Sequence, residues 1–543
     1  MKNVLIGIIL GVAILSLRLI PKKNKKLPEM PVWLFRILLA ACFFVFAFLL
    51  FYRVDEVPIP YHVDEAGMVY DAKSLAKYGT DRWGYHNPVY LINYGGGQSA
   101  LYLYLAALSI KIFGYSLIIV RLPAILCSLA SLVVFAALIR REYGNTASII
   151  AAAVFCLLPF SIMHSRWGLD AYLLFPMLIF ACAAFYSAVS SGRIPMFILS
   201  GCLFGLTLYS YAISYILVPF FLGLCLIPLL FRKRLSLQQL AALLLPIVIS
   251  AVPLILLLAV NNGLMEEIRT PYFSVPKLFA YRGSEFSFGN ILNNLKFGER
   301  NIFYCIFVRD SLLYNMVPEF GSMYYFTIPL ILFGLVICGK GSIQSLKAGR
   351  LSLSLMMALL FMVIFTVQLL LPYSNANRAC AIYFPLIYFL VIGILELARK
   401  SRIALMAAGA VCLFFAFSFA RYYFTSFSHD LTRELSITSV ADLEQALAFA
   451  EEVSRENEPL TVYGLSQPYL YTLLVKDIDP QTFLASYAME DVNVVSFGNY
   501  RFDAYPVSPE RVYLLRTYGW VPYEIREAPF NTADFGTVTV YYP

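Results

Sequence analysis

The stretch 117-LIIVRLPAILCSLASLVVFAALIRREYG-144 is a long apolar run closed by two arginines. The hydrocarbon core of a bilayer is about 30 Å thick and needs about 20 apolar residues per helix, which this run supplies. Similar runs recur along the 543 residues, of which 60% are hydrophobic and 14% charged. Soluble globular chains carry about 25% charged residues. The composition therefore excludes a soluble enzyme, a disordered chain and a disulfide-rich secreted module, and it predicts one large membrane domain with a smaller second domain.

Apolar windows of this length predict about twelve transmembrane helices. They lie near residues 4–20, 33–52, 117–139, 146–163, 171–189, 195–213, 214–230, 238–260, 323–339, 351–372, 378–397 and 403–423. The first run has its lysines behind it rather than in front, and no small-residue cleavage site is evident. A helix is therefore favoured over a cleavable signal peptide.

The basic residues between these runs predict the orientation of the chain. They cluster in alternate loops, at Lys22–Lys26, Arg140–Arg141, Arg193, Arg232–Arg234, Lys340–Arg350 and Arg399–Arg402. Because cytoplasmic loops are enriched in Lys and Arg, these loops are predicted to face the cytoplasm of a plasma-membrane protein. The outward segments are then loops 53–116, 164–170, 261–322 and 373–377, and the tail. The net charge of +8 is spread over many loops, so no nucleic-acid partner is predicted.

The tail differs in composition from the rest of the chain. Residues 440–457 have helical periodicity, and residues 459–464 have the pattern of a short strand. We therefore predict a transmembrane domain at 1–427 and an extracytoplasmic α/β domain at 428–543. The tail carries no recognisable catalytic motif.

The predicted spans are almost free of Asp, Glu and Lys. Membrane-embedded charges mark ion and proton paths, so this argues against an ion-coupled transporter, although it does not exclude a flippase. The ionisable residues gather instead in the outward segments. All four histidines do so as well: His62, His86, His164 and His429.

The first outward loop contains 61-YHVDEAGMVY-70. One interpretation is structural, with Asp64 as a helix N-cap, Glu65 in the first turn and Gly79 ending the helix. An apolar stripe is then predicted to lie on the membrane surface, formed by Met68, Ala72, Leu75 and Ala76. The alternative is chemical, because an acid pair at an interface supplies a general base whose pKa is raised by partial burial.

The second outward loop is the short segment 164-HSRWGLD-170. Arg166 and Asp170 form either an interfacial ion pair with a helix cap, or part of a functional site. The loop is so short that Asp170 is predicted at the same membrane face as Asp64.

Six short motifs follow one another along residues 30–425. They are Asp64-Glu65, Arg121-Leu122-Pro123, Arg140-Arg141-Glu142-Tyr143-Gly144, Ser165-Arg166-Trp167-Gly168-Leu169-Asp170, Gly205-Leu206-Thr207-Leu208-Tyr209-Ser210-Tyr211 and Asn375-Ala376-Asn377-Arg378. In this order and on these sides, they resemble the GT-C glycosyltransferases, in the branch of the protein O-mannosyltransferases and lipid A aminoarabinose transferases. The resemblance implies a polytopic α-helical GT-C fold with surface helices in the large first outward loop. It does not cover the tail.

The resemblance implies transfer of a sugar from a polyprenyl-phosphate carrier to a protein, lipid or glycan acceptor at the outer face, by an inverting displacement. It implies that Asp64 is the base, and that Glu65 and Asp170 position substrate or bind a cation. The candidates for binding the donor phosphate are Arg378, Arg166 and Arg121. Two keep structural alternatives, Arg121 as a snorkelling residue at the interface and Arg378 as part of a capping turn.

Several outward side chains are candidate contacts for a sugar or acceptor, namely His62, Trp83, His164, Tyr209 and Tyr211. Aromatic belts at membrane interfaces are an equally ordinary explanation of such tyrosines and tryptophans. A divalent cation near His62 and His164 is geometrically possible. No metal-ligand spacing supports one, however, so hydrogen-bonding histidines are favoured and no cofactor is assigned.

Three other functions stay open. A flippase would need a polar path through the bilayer, and a non-catalytic relative would bind a lipid-linked sugar or a partner protein. A polymerase or ligase acting on a lipid-pyrophosphate oligosaccharide would use additional outward cations. Those available are Lys277, Arg282, Lys296, Arg300 and Arg309.

Overall fold

The computed structural model describes residues 2–17, 29–93, 96–281, 285–296, 302–310, 312–435, 439–455, 458–465, 467–503 and 507–543. Three groups of cations used above fall outside these ranges, namely Lys22–Lys26, Arg282 and Arg300. Up to residue 425 the helices are α1 (Lys2–Ser16), α2 (Val32–Phe51), α3 (Val63–Tyr78), α4 (Ala100–Phe113), α5 (Leu117–Tyr143), α6 (Asn145–Leu157), α7 (Pro159–His164), α8 (Asp170–Ser191), α9 (Ile194–Leu208), α10 (Ser214–Phe231), α11 (Leu237–Asn261), α12 (Asn290–Leu295), α13 (Ile302–Phe307), α14 (Ile328–Lys347), α15 (Leu353–Leu370), α16 (Tyr383–Lys400) and α17 (Arg402–Thr425). Two short antiparallel pairs join β1 (Tyr90–Leu91) to β2 (Gln98–Ser99) and β3 (Ile268–Arg269) to β4 (Ser274–Val275).

Within the described ranges, nine helical segments are long and apolar enough to cross a membrane. They are α2, α5, α8, α10, α11, Tyr325–Lys347, α15, Cys380–Lys400 and α17. Four further apolar helices, α1, α4, α6 and α9, are shorter, and even the 15 residues of α1 span only about 22 Å. The chain is therefore a multi-pass membrane protein, and its described residues contain nine long spans where about twelve were predicted for the whole sequence.

Two of the predicted spans are shortened by local backbone geometry. The span predicted at 146–163 is interrupted because Leu158, which precedes Pro159, is extended with φ −73° and ψ 138°. The span predicted at 195–213 ends at Leu208, before a turn that leads into α10. Apolar composition continues across both breaks, so hydropathy alone could not locate them.

Helix α16 is central in the membrane-spanning part, since 89% of its apolar window is buried, against 17% for α2 and 22% for α17. It packs closely against α14. A Cβ atom on Gly334 would collide with the carbonyl oxygen of Phe389, and one on Gly393 with that of Leu330. Glycine at both positions is what allows the two helix backbones to touch.

The tail forms a seven-stranded mixed sheet with helices, as predicted for an α/β domain. Its helices are α18 (Phe427–Leu435), α19 (Val440–Val453), α20 (Pro468–Val475), α21 (Pro480–Ser486) and α22 (Tyr523–Glu527). Its strands are β5 (Leu460–Tyr463), β6 (Ala488–Glu490), β7 (Asn493–Phe497), β8 (Tyr500–Phe502), β9 (Tyr513–Arg516), β10 (Asn531–Phe535) and β11 (Val538–Tyr542). The strand order is β10-β11-β9-β5-β8-β7-β6, with β5 parallel to both β8 and β9.

The chain divides into two compact units. One comprises Met1–Val54, Arg121–Ile255 and Gly283–Tyr423, and the other comprises Asp55–Val120, Leu256–Arg282 and Phe424–Pro543. The second unit therefore joins the first outward loop to the tail, which the predicted boundary at residue 427 placed in different domains. Trp83 shows how, because its indole ring packs edge-on against aromatic rings from both other segments of this unit, those of Phe279, Phe483 and Tyr487.

Candidate functional site

Helix α3 carries the predicted acid pair in its first turn. Its N-cap is His62, whose Nδ1 accepts a hydrogen bond from the backbone N–H of Asp64 at 3.2 Å. The prediction that Asp64 is the N-cap is therefore wrong, because the helix begins at Val63 and the imidazole takes the capping role. Gly79 ends the helix in the left-handed conformation, with φ +71°, as predicted.

Asp64 and Glu65 differ in accessibility. The side chain of Asp64 is 31% exposed, and its Oδ2 lies 3.7 Å from Nδ1 of His62. Glu65 is fully buried. A general base must reach the proton that it removes, so Asp64 is the better placed of the two carboxylates.

The backbone of Asp64 is held by a polar network. Its carbonyl oxygen accepts hydrogen bonds from Nε2 of Gln98 at 3.2 Å and from Nδ2 of Asn93 at 3.4 Å. Asn93 also donates to Oε1 of Gln98 at 2.7 Å and accepts from Arg82 at 3.0 Å. A Cβ on Gly67 would collide with the Asn93 side chain, so glycine at this position allows the loop to lie against α3.

A buried ion pair continues this network. Nη2 of Arg82 lies 3.1 Å from Oδ2 of Asp71, and both side chains are fully buried. Nearby, Oδ1 of Asp81 accepts the backbone N–H groups of Trp83 and Tyr85, each at 2.9 Å. Burial raises the pKa of Asp71 to about 6 although Arg82 opposes it, and burial together with Asp71 raises the pKa of Asp81 to about 8. The ion pair and the hydrogen bonds to Asp81 fix the loop that follows α3.

The remaining length of α3 lies in a protein core. Met68 and Ala72 are fully buried, and α4 and α20 pack against the helix. The prediction that the stripe lies on the membrane surface is therefore wrong for Met68 and Ala72, which protein covers, whereas Leu75 and Ala76 are half-buried and stay a prediction. Trp83 is 7% exposed and its Nε1 donates to the carbonyl of Ile92 at 3.0 Å. A sugar contact for Trp83 stays a prediction, and its burial does not favour that role.

In the other unit, two predicted phosphate ligands donate hydrogen bonds to backbone carbonyl oxygens at the carboxyl end of α2. The guanidinium of Arg166 donates to three carbonyl oxygens there, at 2.5, 2.8 and 2.8 Å. Arg121 donates to the carbonyl of Val54 at 2.6 Å and lies 5.1 Å from the ring of Trp167. Both arginines are fully buried, so the interpretation of Arg121 as a snorkelling residue is wrong. Cations at this helix end complement its negative dipole, and a phosphate role for either residue stays a prediction.

The second outward loop is buried in the same unit. His164 lies between the rings of Phe160 and Tyr172, with centroid distances of 4.1 Å to each. Burial lowers the pKa of His164 to about 3, so its imidazole is neutral at physiological pH. Asp170 is the first residue of α8 and is 6% exposed. Sugar contact by His164 and substrate positioning by Asp170 stay predictions.

Arg378 is more accessible than the other two predicted phosphate ligands. The capping turn is made by Asn375, whose Oδ1 accepts the backbone N–H of Arg378 at 2.7 Å. The guanidinium instead reaches Oε2 of Glu285 at 3.2 Å and the hydroxyl of Tyr373 at 3.1 Å. Its side chain is 11% exposed. Arg378 is thus the best placed of the three to exchange a carboxylate for a phosphate.

Asp310 ties this turn to the second outward loop. Its Oδ2 accepts the backbone N–H of Ala376 at 2.5 Å, and its Oδ1 accepts Nδ2 of Asn315 at 3.2 Å. The carbonyl oxygen of Asn315 lies 3.3 Å from Nε2 of His164, and its Oδ1 accepts the hydroxyl of Tyr172 at 3.1 Å. The unit therefore brings the predicted His164 loop and the predicted Arg378 turn together.

The last predicted contacts lie between α9 and α10. The hydroxyl of Tyr209 donates to the carbonyl of Ser250 at 2.8 Å, and Tyr211 is half-buried. Among the described side chains, no three from His, Cys, Asp and Glu are placed to hold one metal ion. Sugar contact by the two tyrosines and cation binding both stay predictions.

The comparisons with known proteins agree on the fold. Residues 98–256 match the family described as dolichyl-phosphate-mannose-protein mannosyltransferase. The solved structure of ArnT from Cupriavidus metallidurans in the apo state superposes with a TM-score of 0.52 at 12% identity, covering 94% of this chain and 97% of that chain. The fold is that of the GT-C glycosyltransferases. The GT-C resemblance predicted from the six motifs is thus confirmed.

Two further solved structures are similar to this chain. ArnT bound to undecaprenyl phosphate gives a TM-score of 0.51 at 12% identity, covering 94% of this chain and 98% of that chain. The oligosaccharyltransferase of Archaeoglobus fulgidus in the apo form gives 0.48 at 13% identity, covering 82% and 64%. No curated protein sequence matches this chain.

Sequence reasoning missed four residues that hold predicted site residues in place, namely Asn93 and Gln98 in one unit, and Glu285 and Asp310 in the other. All four lie in predicted outward loops, which is the only signal that pointed to them. Their importance depends on the backbone groups and side chains that the fold brings to them, and no motif spacing encodes those partners.

Proposed function

We propose that this protein is an inverting glycosyltransferase that moves a sugar from a polyprenyl-phosphate donor to an acceptor at the outer face of the plasma membrane. The observation that carries the proposal is the accessible Asp64 carboxylate at the fixed start of α3, in a chain with the GT-C fold. ArnT, which has the same fold, binds undecaprenyl phosphate, and this supports a lipid-linked donor. The cationic loops at Arg140–Arg141 and Arg399–Arg402 support the outward placement of the site.

The chemistry needs one base and one stabilised leaving group. Asp64 removes the proton of an acceptor hydroxyl while the oxygen of that hydroxyl bonds to the anomeric carbon of the sugar. The bond from that carbon to the phosphate oxygen breaks at the same time, so the configuration inverts and polyprenyl phosphate leaves. Arg378 is our choice for the phosphate contact, because guanidinium groups bind phosphate oxygens in the same forked geometry as carboxylates.

The other predicted residues take supporting roles in this proposal. His62 caps α3 and orients Asp64, whereas Glu65 and Asp170 position donor or acceptor from buried positions. Arg121 and Arg166 fix the end of α2. The acceptor is a protein, lipid or glycan hydroxyl.

The test is an assay of the purified full chain with radiolabelled polyprenyl-phosphate sugars and candidate acceptors. We expect the wild-type protein to release sugar from the carrier and Asp64→Asn to lose this activity. Asp55→Asn is the matched control, since Asp55 is an exposed acid in the same loop and undergoes the same chemical change. Full activity of Asp64→Asn would contradict the assignment of the base.

The same assay separates the rival functions. Movement of intact lipid-linked sugar across vesicles without glycosidic cleavage would identify a flippase instead. Activity only on lipid-pyrophosphate oligosaccharides would identify a polymerase or ligase. Binding of the donor with neither transport nor cleavage would identify a non-catalytic protein.

A further inference from the structure

The entrance to α3 is held in an unusual backbone conformation. Tyr61, directly before the cap residue His62, has φ +59°, in the left-handed region that side-chain-bearing residues rarely adopt. Such a conformation persists only where surrounding contacts impose it, and these positions concentrate at functional sites. Tyr61 is 8% exposed, and its hydroxyl lies 2.7 Å from the hydroxyl of Tyr115.

A tail residue holds the backbone at this point. The hydroxyl of Tyr471, on α20, donates to the carbonyl oxygen of Tyr61 at 3.2 Å. Tyr471 is 3% exposed, so this bond is shielded from water. Burial, with added repulsion from the carboxylates of Asp64 and Glu65, raises the pKa of Tyr471. The hydroxyl is therefore a neutral donor at physiological pH.

Further contacts attach the turn between α20 and α21 to the same helix. The hydroxyl of Tyr70 donates to the carbonyl of Ile478 at 2.9 Å, and Lys73 pairs with Asp477. At the end of α3, Lys77 and Tyr78 both donate hydrogen bonds to Oδ2 of Asp479, each at 2.6 Å. These contacts seat the tail along α3, whereas the Tyr471 bond is the one at the backbone that leads into its first turn.

We propose that Tyr471 is a positioning residue for Asp64. By fixing the Tyr61 carbonyl, it sets the direction in which the chain enters α3 and hence the place of the carboxylate three residues later. We name this contact between Tyr471 and Tyr61 the entrance clamp. The inference rests on the proposed function for the role of Asp64, and it gives the tail a part in the reaction although the tail has no catalytic motif.

The test compares Tyr471→Phe with Tyr70→Phe in the full-length protein. Each change removes one hydroxyl that donates to a backbone carbonyl between α3 and the α20–α21 region, but only the first acts at the entrance clamp. We expect amide hydrogen exchange of a peptide covering residues 62–68 to be faster in Tyr471→Phe and unchanged in Tyr70→Phe. Tyr115→Phe removes the hydroxyl that lies against the hydroxyl of Tyr61. It should also speed up hydrogen exchange of the same peptide, and it replaces Tyr471→Phe in the test if that variant does not fold.

Kinetics supply the second measurement. We expect kcat of Tyr471→Phe to fall about tenfold, with KM for the donor within about twofold of wild type, because misplacing a catalytic group lowers the rate without weakening substrate binding. Equal exchange in both variants, or equal kcat, would overturn the inference and leave Tyr471 a packing residue. Were the wild-type protein inactive, the proposed function would fail, and hydrogen exchange alone would decide whether the clamp exists.

Discussion

Helices α3 and α8 begin alike in sequence and differ in structure. Each carries an aspartate in its first turn after a loop with a histidine, and each matches a motif of the GT-C resemblance. Asp64 in α3 keeps a side chain that is 31% exposed, whereas Asp170 in α8 is 6% exposed as a residue. Hydrogen bonds from polar side chains hold the backbone carbonyl of Asp64, whereas the loop before Asp170 is packed among aromatic rings.

A motif thus predicts where an acid lies in a helix but not whether a substrate reaches it. The same lesson applies to the arginines. Arg166 and Arg378 were equal candidates for the phosphate, yet Arg166 is fully buried on helix carbonyls and Arg378 reaches a carboxylate near the surface.

The largest expected effect is on the Asp64 carboxylate. Asp64→Asn should lower kcat by about 10³-fold, since general bases contribute about 10² to 10⁴. Asp170→Asn should cost less, because a buried acid acts only indirectly. Single-turnover transfer from the labelled donor measures both, and a larger loss in Asp170→Asn would reverse the comparison between the two helices.

The next largest effect is on the stability of the folded protein, which should depend on Arg166 more than on Arg378. Arg166→Met should lower the free energy of unfolding by about 2 kcal/mol, because it leaves one buried and two part-buried carbonyl oxygens at the end of α2 without their donor. Arg378→Met should change it by less than about 1 kcal/mol, as expected for a partly exposed ion pair. Thermal unfolding in detergent, followed by tryptophan fluorescence, compares them, and equal losses would show that accessibility does not distinguish the two residues.

The affinity for the donor should depend on Arg378 more than on Arg166, which is the opposite of the order for stability. Arg378→Gln removes the charge and leaves a shorter polar side chain, and it should raise KM for the polyprenyl-phosphate donor about tenfold with an unchanged melting temperature. Glu285→Gln, which frees Arg378 from its partner, should lower that KM or leave it unchanged. A rise in KM for Glu285→Gln would mean that the ion pair itself is the binding form.

The smallest expected effect is a pH dependence in the unit that contains α3. The pKa of Asp81 is raised to about 8 in the folded protein, so the folded form holds this proton more tightly than the unfolded chain. The resulting stability is complete below about pH 4, the ordinary value for Asp, and is lost as the pH rises through about 8. The melting temperature should fall by about 3 °C between pH 6.5 and 8.5. Asp81→Asn, which keeps an oxygen for the N–H groups of Trp83 and Tyr85, should flatten that decline.

Much of the fold was predictable because it rests on properties of single segments. Hydropathy located the long spans, Gly79 marked the end of α3, and the periodicity of residues 440–457 predicted α19. Span lengths were less predictable, since one proline at 159 ends an apolar helix early without changing its composition. The division into units was not predictable, because the aromatic residues that join loop and tail have no periodic spacing.

The candidate site was predictable in its residue types and less so in their roles. The pattern indicated an acid pair at a helix start, and the structure has one. It could not show that His62 rather than Asp64 caps the helix, since both are acceptors at neighbouring positions. Nor could it distinguish a guanidinium that binds phosphate from one that binds carbonyls, because both tasks use the same donors.

The composition of the second unit has a consequence for biosynthesis. Its first segment, Asp55–Val120, is translated some 300 residues before its last, Phe424–Pro543. Trp83 and Tyr70 therefore leave the ribosome long before Phe483, the ring that both of them contact, exists. The contacts of the Asp64 loop with Phe483 can therefore form only after most of the chain has been made. Packing of the Asp64 loop is thus completed late in synthesis, and a chain truncated before Phe483 would lack these two ring contacts.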